Sequence, residues 1–240
     1  RLVNGFFMSI LRNAVWASLL MLLSGSVATA QSFDRAMIAF DQGDYHVALE
    51  ELLPLAERGD VLALYNVGMT YEDGFGDYAE AAKWYRLAAK RGDADAQTNL
   101  GHMYDNGQGV PQDDVQAVRW YLKAAEQGNA TAQFNLGVMY RNGDGVPRDL
   151  AQAVKWYGMA AKQGDPFAQS TLGVMHRNGE GVPQDDVKAY MWYAIGDVNG
   201  FEGGDILRAS VAQEMSGEDV SLAQLMAHKC LTSGYVDCDW

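Results

Sequence analysis

The chain has 240 residues, 48% of them hydrophobic and 20% charged, a balance that suits a packed globular core and carries no signature of disorder. Acidic residues outnumber basic ones 31 to 18, giving a formal charge of −13 with no basic cluster to offset it. That sign argues against non-specific binding to nucleic acid or to an anionic membrane surface.

In chain order, the first distinct segment is a leader. Met8 opens a short run containing Arg12, the apolar stretch Ala14 to Leu23 follows, and a small-residue segment ends in Ala28-Thr29-Ala30. This is the three-part layout of a secretory signal peptide with an A-x-A-like cleavage site. Its apolar run is too short to span a bilayer; an uncleaved N-terminal anchor is the alternative reading. Met8 is a candidate start, with residues 1–7 upstream of it. No Cys follows the cleavage site, so a lipidated N-terminus is not expected. Cleavage after Ala30 would remove Arg1 and Arg12, leaving 16 basic against 31 acidic residues and a charge of −15. The expected location is periplasmic or secreted, and the mature form is not expected to span a membrane.

The remainder is periodic. Residues 96–128 return 36 residues later with few changes and again 36 residues after that. Trp84-Tyr85, Trp120-Tyr121, Trp156-Tyr157 and Trp192-Tyr193 keep that spacing, as do Gly92, Gly128, Gly164 and Gly200. A fixed period of this length predicts a stacked solenoid. The expected divisions are a degenerate opening repeat at 31–60, repeats at 61–93, 94–129, 130–165 and 166–200, and a helical cap at 201–240. The opening repeat echoes the next one at an offset of 33 residues but lacks the Trp-Tyr pair.

Each unit reads as two helices. In the second, helix A runs from about Ala96 to Asn106 with Ala96, Leu100, Met103 and Tyr104 on one stripe, and helix B from about Asp114 to Gln127. Gly107 and Gly109 suit a helix end, Asp113 suits an N-cap, and short connections at both ends predict antiparallel neighbours. Gly101 and Ala124-Ala125 let helices approach, and Trp120 and Tyr121 are expected to fill space against the neighbouring unit. Loss of one such Trp is expected to cost about 3–5 kcal/mol. In the first full unit Gly74-Phe75-Gly76-Asp77 replaces G-x-G-V-P-x-D, shortening the loop by three residues. In the cap, a helix is expected from Ile206 to Met215, and Ser216-Gly217-Glu218-Asp219 resembles a capping box for a second helix through His228. Cys230 and Cys238 are the only cysteines. In an oxidising compartment they are expected to form a structural disulfide, since two thiols without a nearby His or second Cys pair make a poor zinc site.

The pattern A-x-x-x-L-G-x-M-Y-x-x-G-x-G-V-P-x-D followed by A-x-x-W-Y-x-x-A-A-x-x-G resembles the Sel-1-like repeat family, over about residues 61–200. The resemblance implies an all-α fold: a right-handed α/α superhelical solenoid related to tetratricopeptide arrays, with helix A of each unit lining the concave face. It also implies adaptor or regulatory roles.

The tempting chemical motifs read as scaffold. Gly143-Asp144-Gly145 recurs in every unit without a preceding strand, so it is a turn and not a phosphate cradle. Asp105-Asn106-Gly107 and Asp113-Asp114 lack the ligand spacing of a calcium loop. His46, His102, His176 and His228 have no metal spacing and no motif-placed nucleophile, so no cofactor, metal or catalytic residue is expected. His176 stands where other units have Tyr104 and Tyr140, which points to packing.

Candidate binding residues are those opposite the buried stripe of helix A at 100° per residue. They are Tyr65, Met69 and Glu72; Thr98, His102 and Asp105; Phe134, Val138 and Arg141; and Ser170, Val174 and Arg177. These vary from copy to copy, and their charge turns from acidic to basic along the chain. Packing between neighbouring helices is the alternative reading for each. The expected function is that of an exported, non-enzymatic interaction module holding a protein or peptide segment in its groove. A cell-envelope hydrolase of β-lactamase type is the alternative, because some cysteine-rich relatives are so described; those carry a cysteine pair within each repeat, and this chain has none there. Binding of cell-wall glycan on exposed aromatics is a third reading.

Overall fold

Both helices of each full repeat start at an Asp or Asn whose carbonyl or carboxylate oxygen closes the first turn. In the computed structural model, which describes residues 30–238, Asp60, Asp93, Asn129 and Asp165 accept from the backbone N–H three residues on at the start of each helix A. Asp77, Asp113, Asp149 and Asp185 do the same for each helix B. Each such cap contributes about 1 kcal/mol and sets where its helix begins. That is why α5 starts at Ala94, two residues before the apolar stripe does. The leader-like segment lies outside the described residues. Among the described residues, all regular structure is helical, and no helix is long and apolar enough to cross a membrane.

The chain divides into two compact units between Arg91 and Gly92. In the first, α1 (residues 30–41) is followed by α2 (Tyr45–Glu57), α3 (Val61–Met69) and α4 (Tyr78–Lys90). α3 runs on through one wide π turn, Thr70–Gly74. That turn takes the place of the longer inter-helix loop and delivers Phe75 onto the rings of Tyr45, Tyr71 and His46. Gly74 is required there, since a Cβ would lie 2.5 Å from the Tyr45 ring.

The second unit holds three helix pairs and the cap: α5 (Ala94–Asn106) with α6 (Asp114–Glu126), α7 (Ala130–Asn142) with α8 (Leu150–Ala161), and α9 (Pro166–Asn178) with α10 (Asp186–Val198). α11 (Gly204–Ala212) and α12 (Gly217–Thr232) then pack against α10. Helix A buries Ala96, Leu100 and Met103 and their equivalents, and helix B buries Ala117, Tyr121, Ala124 and Ala125 and theirs, except that in α10 the alanine pair is replaced by buried Gly196 and half-buried Asp197. The invariant Leu-Gly step has a specific cause. The ring of the helix B tyrosine lies flat on the glycine of its own unit, so a Cβ at Gly101, Gly137 or Gly173 would come within 2.6–2.8 Å of Tyr121, Tyr157 or Tyr193. Tyr121 therefore packs on the glycine of its own unit as well as against α7 of the next, beside Ala132, Leu136 and Met139. The tryptophans behave differently from one another: Trp120 is half-exposed, Trp156 joins the core of the preceding pair, and Trp192 is fully buried under the cap.

Two contacts stack one pair on the next. Gln133 is buried and donates through Nε2 to Ala125 O at 3.0 Å while accepting from Gln163 Nε2 at 2.8 Å. Gln169 does the same with Ala161 and Asn199. The second contact is the inter-helix turn, whose Gly145 and Gly181 rest directly on the backbone that opens α6 and α8, at Asp114 and Leu150.

Cys230 and Cys238 are disulfide-bonded and buried. The loop they close presents Tyr235, whose hydroxyl donates to Asn199 Oδ1 at 3.0 Å and so continues the Gln169–Asn199 relay into the cap. Cys230→Ser with Cys238→Ser should lower unfolding stability by about 2–3 kcal/mol, from the loop-closure entropy of a short loop. Urea titrations with and without reductant check this: reductant should erase the difference between wild type and variant.

Candidate functional site

Of the twelve side chains expected to line a groove, only His102 is exposed. Thr98 and Ser170 are buried, at 6% and 2% exposure, and are corrected from groove-lining to packing positions. Thr98 Oγ1 donates to Ala94 O of its own helix at 2.8 Å, and Ser170 lies under α10, where its Oγ would meet a Cβ placed on Gly196. Tyr65 and Phe134 share that row and stack on the helix B tyrosines, Tyr65 on Tyr85 at 5.7 Å and Phe134 on Tyr157 at 5.5 Å between ring centres. In the next row Met69, Val138 and Val174 are half-buried, the two valines against the core.

The third row, Glu72, Asp105, Arg141 and Arg177, is electrostatic. Each side chain lies close enough to the buried tyrosine hydroxyl of its own unit to act on it. Tyr85 donates to Glu72 Oε2 at 2.7 Å. Burial pushes the Tyr157 hydroxyl up to about 12, with Arg141 beside it acting in the opposite sense. In the second compact unit the row also spans to the next repeat. Arg141 Nη2 lies 3.0 Å from Glu180 Oε2 in the following turn. Arg177 bridges Asp186, at 3.0 Å, and Glu214 of the cap.

Asp105 breaks the pattern. Its neighbours are again acidic, Asp114 at the start of α6 and Asp144 in the following turn, which Gly145 seats against the Asp114 backbone. Burial, and then the charge of Asp114, hold the Asp105 carboxyl above its ordinary value; Asp144 adds to this, while His102 and Tyr121 oppose it. A carboxyl raised in the folded state contributes nothing below its unfolded pKa and is unfavourable above its folded one. Asp105→Asn should therefore raise the melting temperature at neutral pH and leave it unchanged near pH ~3, below the usual Asp range. Melting curves across that interval check the sign.

An aromatic ridge extends outside the helix A rows. Phe134, Phe167 and Phe201 follow one another with ring centres 6.3 and 5.8 Å apart, and Phe167 is 58% exposed. One repeat earlier the positions of Phe167 and Phe201 hold Thr131 and Asp165; two repeats earlier they hold Asp95 and Asn129, joined by a 2.8 Å hydrogen bond. The same edge is thus polar at α5 and aromatic at α9. Phe201 lies outside the repeat pattern, and its signal was the 34-residue separation it shares with the Asp95–Asn129 pair.

Among the described residues no group of three or more His, Cys, Asp or Glu is disposed to hold a metal ion. A cleft of about 340 Å³ lies between α10 and α12, bordered by Tyr190, Arg208, Gln224 and His228, away from the helix A rows.

Sel1 repeats are matched at residues 61–93, 94–129, 130–165 and 166–195, together more than half of the sequence. The chain belongs to the Sel1 repeat family. Its fold is the α/α solenoid of that family. A protective antigen present in uropathogenic Escherichia coli strains, which displays an SLR fold, is 30% identical with a TM-score of 0.69, over 91% of this chain and 52% of that one. The Sel1 repeat chain thus spans about half the length of that antigen. A Sel1 repeat protein from Oxalobacter formigenes is 28% identical with a TM-score of 0.66, over 86% of this chain and 79% of that one. No curated protein matches the chain. Sel1 repeats typically serve as scaffolds for protein–protein interaction.

Proposed function

We propose that this Sel1 repeat protein is an exported, non-catalytic adaptor that holds a protein or peptide segment against the Phe134–Phe167–Phe201 ridge. The observation that carries this reading is the ridge itself. A large apolar ring 58% exposed at the middle of an aromatic row is a hydration cost that the fold does not require, because the equivalent edge two repeats earlier is polar. Aromatic anchors of this kind dominate binding at protein interfaces. The signal-peptide layout of the first 30 residues and the Cys230–Cys238 bond both agree with an oxidising compartment outside the cytoplasm.

The test is crosslinked capture of partners from that compartment with wild type and with Phe167→Ala combined with Phe201→Ala. Phe167 is exposed and Phe201 lies in a loop, so the variant should fold. Loss of about tenfold or more of a specific partner is expected, in line with removal of an interface anchor. Recovery that ignores the substitutions would sink the assignment of the ridge. Turnover of a chromogenic β-lactam by the wild type would sink its non-catalytic part.

A further inference from the structure

We infer that the recess bounded by Asp105, Asp114 and Asp144 is a docking site for an arginine side chain of the bound partner, an inference that rests on the array holding a protein segment. The repeats themselves indicate the ligand. In the two later pairs the position of Asp105 is an arginine, and its guanidinium lies in this same place, against Glu180 in one case and between Asp186 and Glu214 in the other. The chain thus supplies its own arginine twice and omits it once, while two carboxylates of the cradle remain.

The recess is short of a hydrogen-bonding group in a second, independent way. Tyr121 is fully buried and its hydroxyl points here, facing Asp105 and Asn135 without meeting hydrogen-bond geometry with either. The equivalent Tyr157 has the Arg141 guanidinium beside it. Around Asp105 the side-chain donors to these carboxylates are neutral amides: Gln112 Nε2 donates to Asp114 at 3.3 Å and Asn142 Nδ2 to Asp144 at 3.0 Å, and among the described residues none of the three carboxylates is ion-paired. The three are not disposed to hold a metal ion. A guanidinium spans wider than a metal ion and offers a planar fork of donors to two carboxylates at once, which a lysine ammonium does not. His102, one turn before Asp105, is exposed and acts on the Asp105 carboxyl through its charge.

The experiment titrates the full chain with N-acetyl-arginine amide while following the side-chain carboxyl resonances of Asp105, Asp114 and Asp144 by NMR. N-acetyl-citrulline amide, of the same shape without the charge, is the control. Saturable shifts through the millimolar range with the arginine probe, at least about tenfold weaker with citrulline, are expected for a charge-assisted contact. Asp105→Arg should abolish the response and raise the melting temperature, because the variant fills the recess from within as the later pairs do. No saturable shift overturns the inference, as does an equal response to citrulline or arginine binding that survives in a folded Asp105→Arg protein. The outcome is independent of the aromatic ridge: a partner lost on Phe167→Ala but indifferent to Asp105→Arg would retain the adaptor reading and remove this one.

Discussion

Trp192→Ala should destabilise the protein by about 3–5 kcal/mol, the range for removing a large aromatic side chain from a closed core. Among the described residues Trp192 is the bulkiest side chain with no exposure, and it joins α10 to Val211, Ala223, Ala227 and Cys230 of the cap. Trp120→Ala, at the same place in an earlier repeat, should cost much less. Its ring is half-exposed and carries the Lys123 ammonium 4.5 Å from its centre, so solvent already occupies much of the space that truncation would open. Denaturant titrations followed by circular dichroism compare the two directly. Equal losses would mean that the cap does not close over Trp192.

Gly181→Ala should cost about 2–4 kcal/mol, combining the penalty of a left-handed backbone with that of overpacking. Its φ is +74°, and a Cβ would sit 2.6 Å from the carbonyl oxygen of Leu150, a backbone atom that cannot swing aside. Gly200→Ala is the matched control. Its φ is +99° with nothing within 4 Å of the added atom, so only the conformational penalty of about 1 kcal/mol applies. The difference between the two variants isolates the contact between one repeat and the next.

The architecture was legible in the sequence because its determinants are local and repeated. Gly107, the Asp113 cap and the short connection at Gly128 each act within a few residues, and in-phase copies reinforce the reading. The binding residues were much less legible. A helical wheel drawn on helix A treats the far face as open, but the row of Thr98, Phe134 and Ser170 lies against helix B, so small residues there are buried. The wheel also contains no residue from the next repeat, and Glu180 and Glu214 are what convert Arg141 and Arg177 from apparent binding groups into ion-pair partners. Gln133 and Gln169 do not stand out by variation, since all three pairs of the second unit carry Gln at that position and only the first full repeat departs, with Leu64. Yet a polar residue held beside a buried alanine in three successive copies is itself a sign of a hydrogen bond across a dry interface.

The ionic row has a consequence for how this protein could be rearranged. Within the second unit the same stacking contacts recur from pair to pair, which makes its repeats look like interchangeable tiles. They are not, since Arg141 and Arg177 each pair with a carboxylate of the tile that follows, while Asp105 faces another acid. Moving the α5–α6 pair next to the cap would set Asp105 against Glu214 and lose the Arg177 pair there, whereas moving α9–α10 into its place would set Arg177 against Asp144 and relieve the acidic cluster. The order of the repeats is therefore written into their charges, and a permuted array would redistribute which seams attract and which repel.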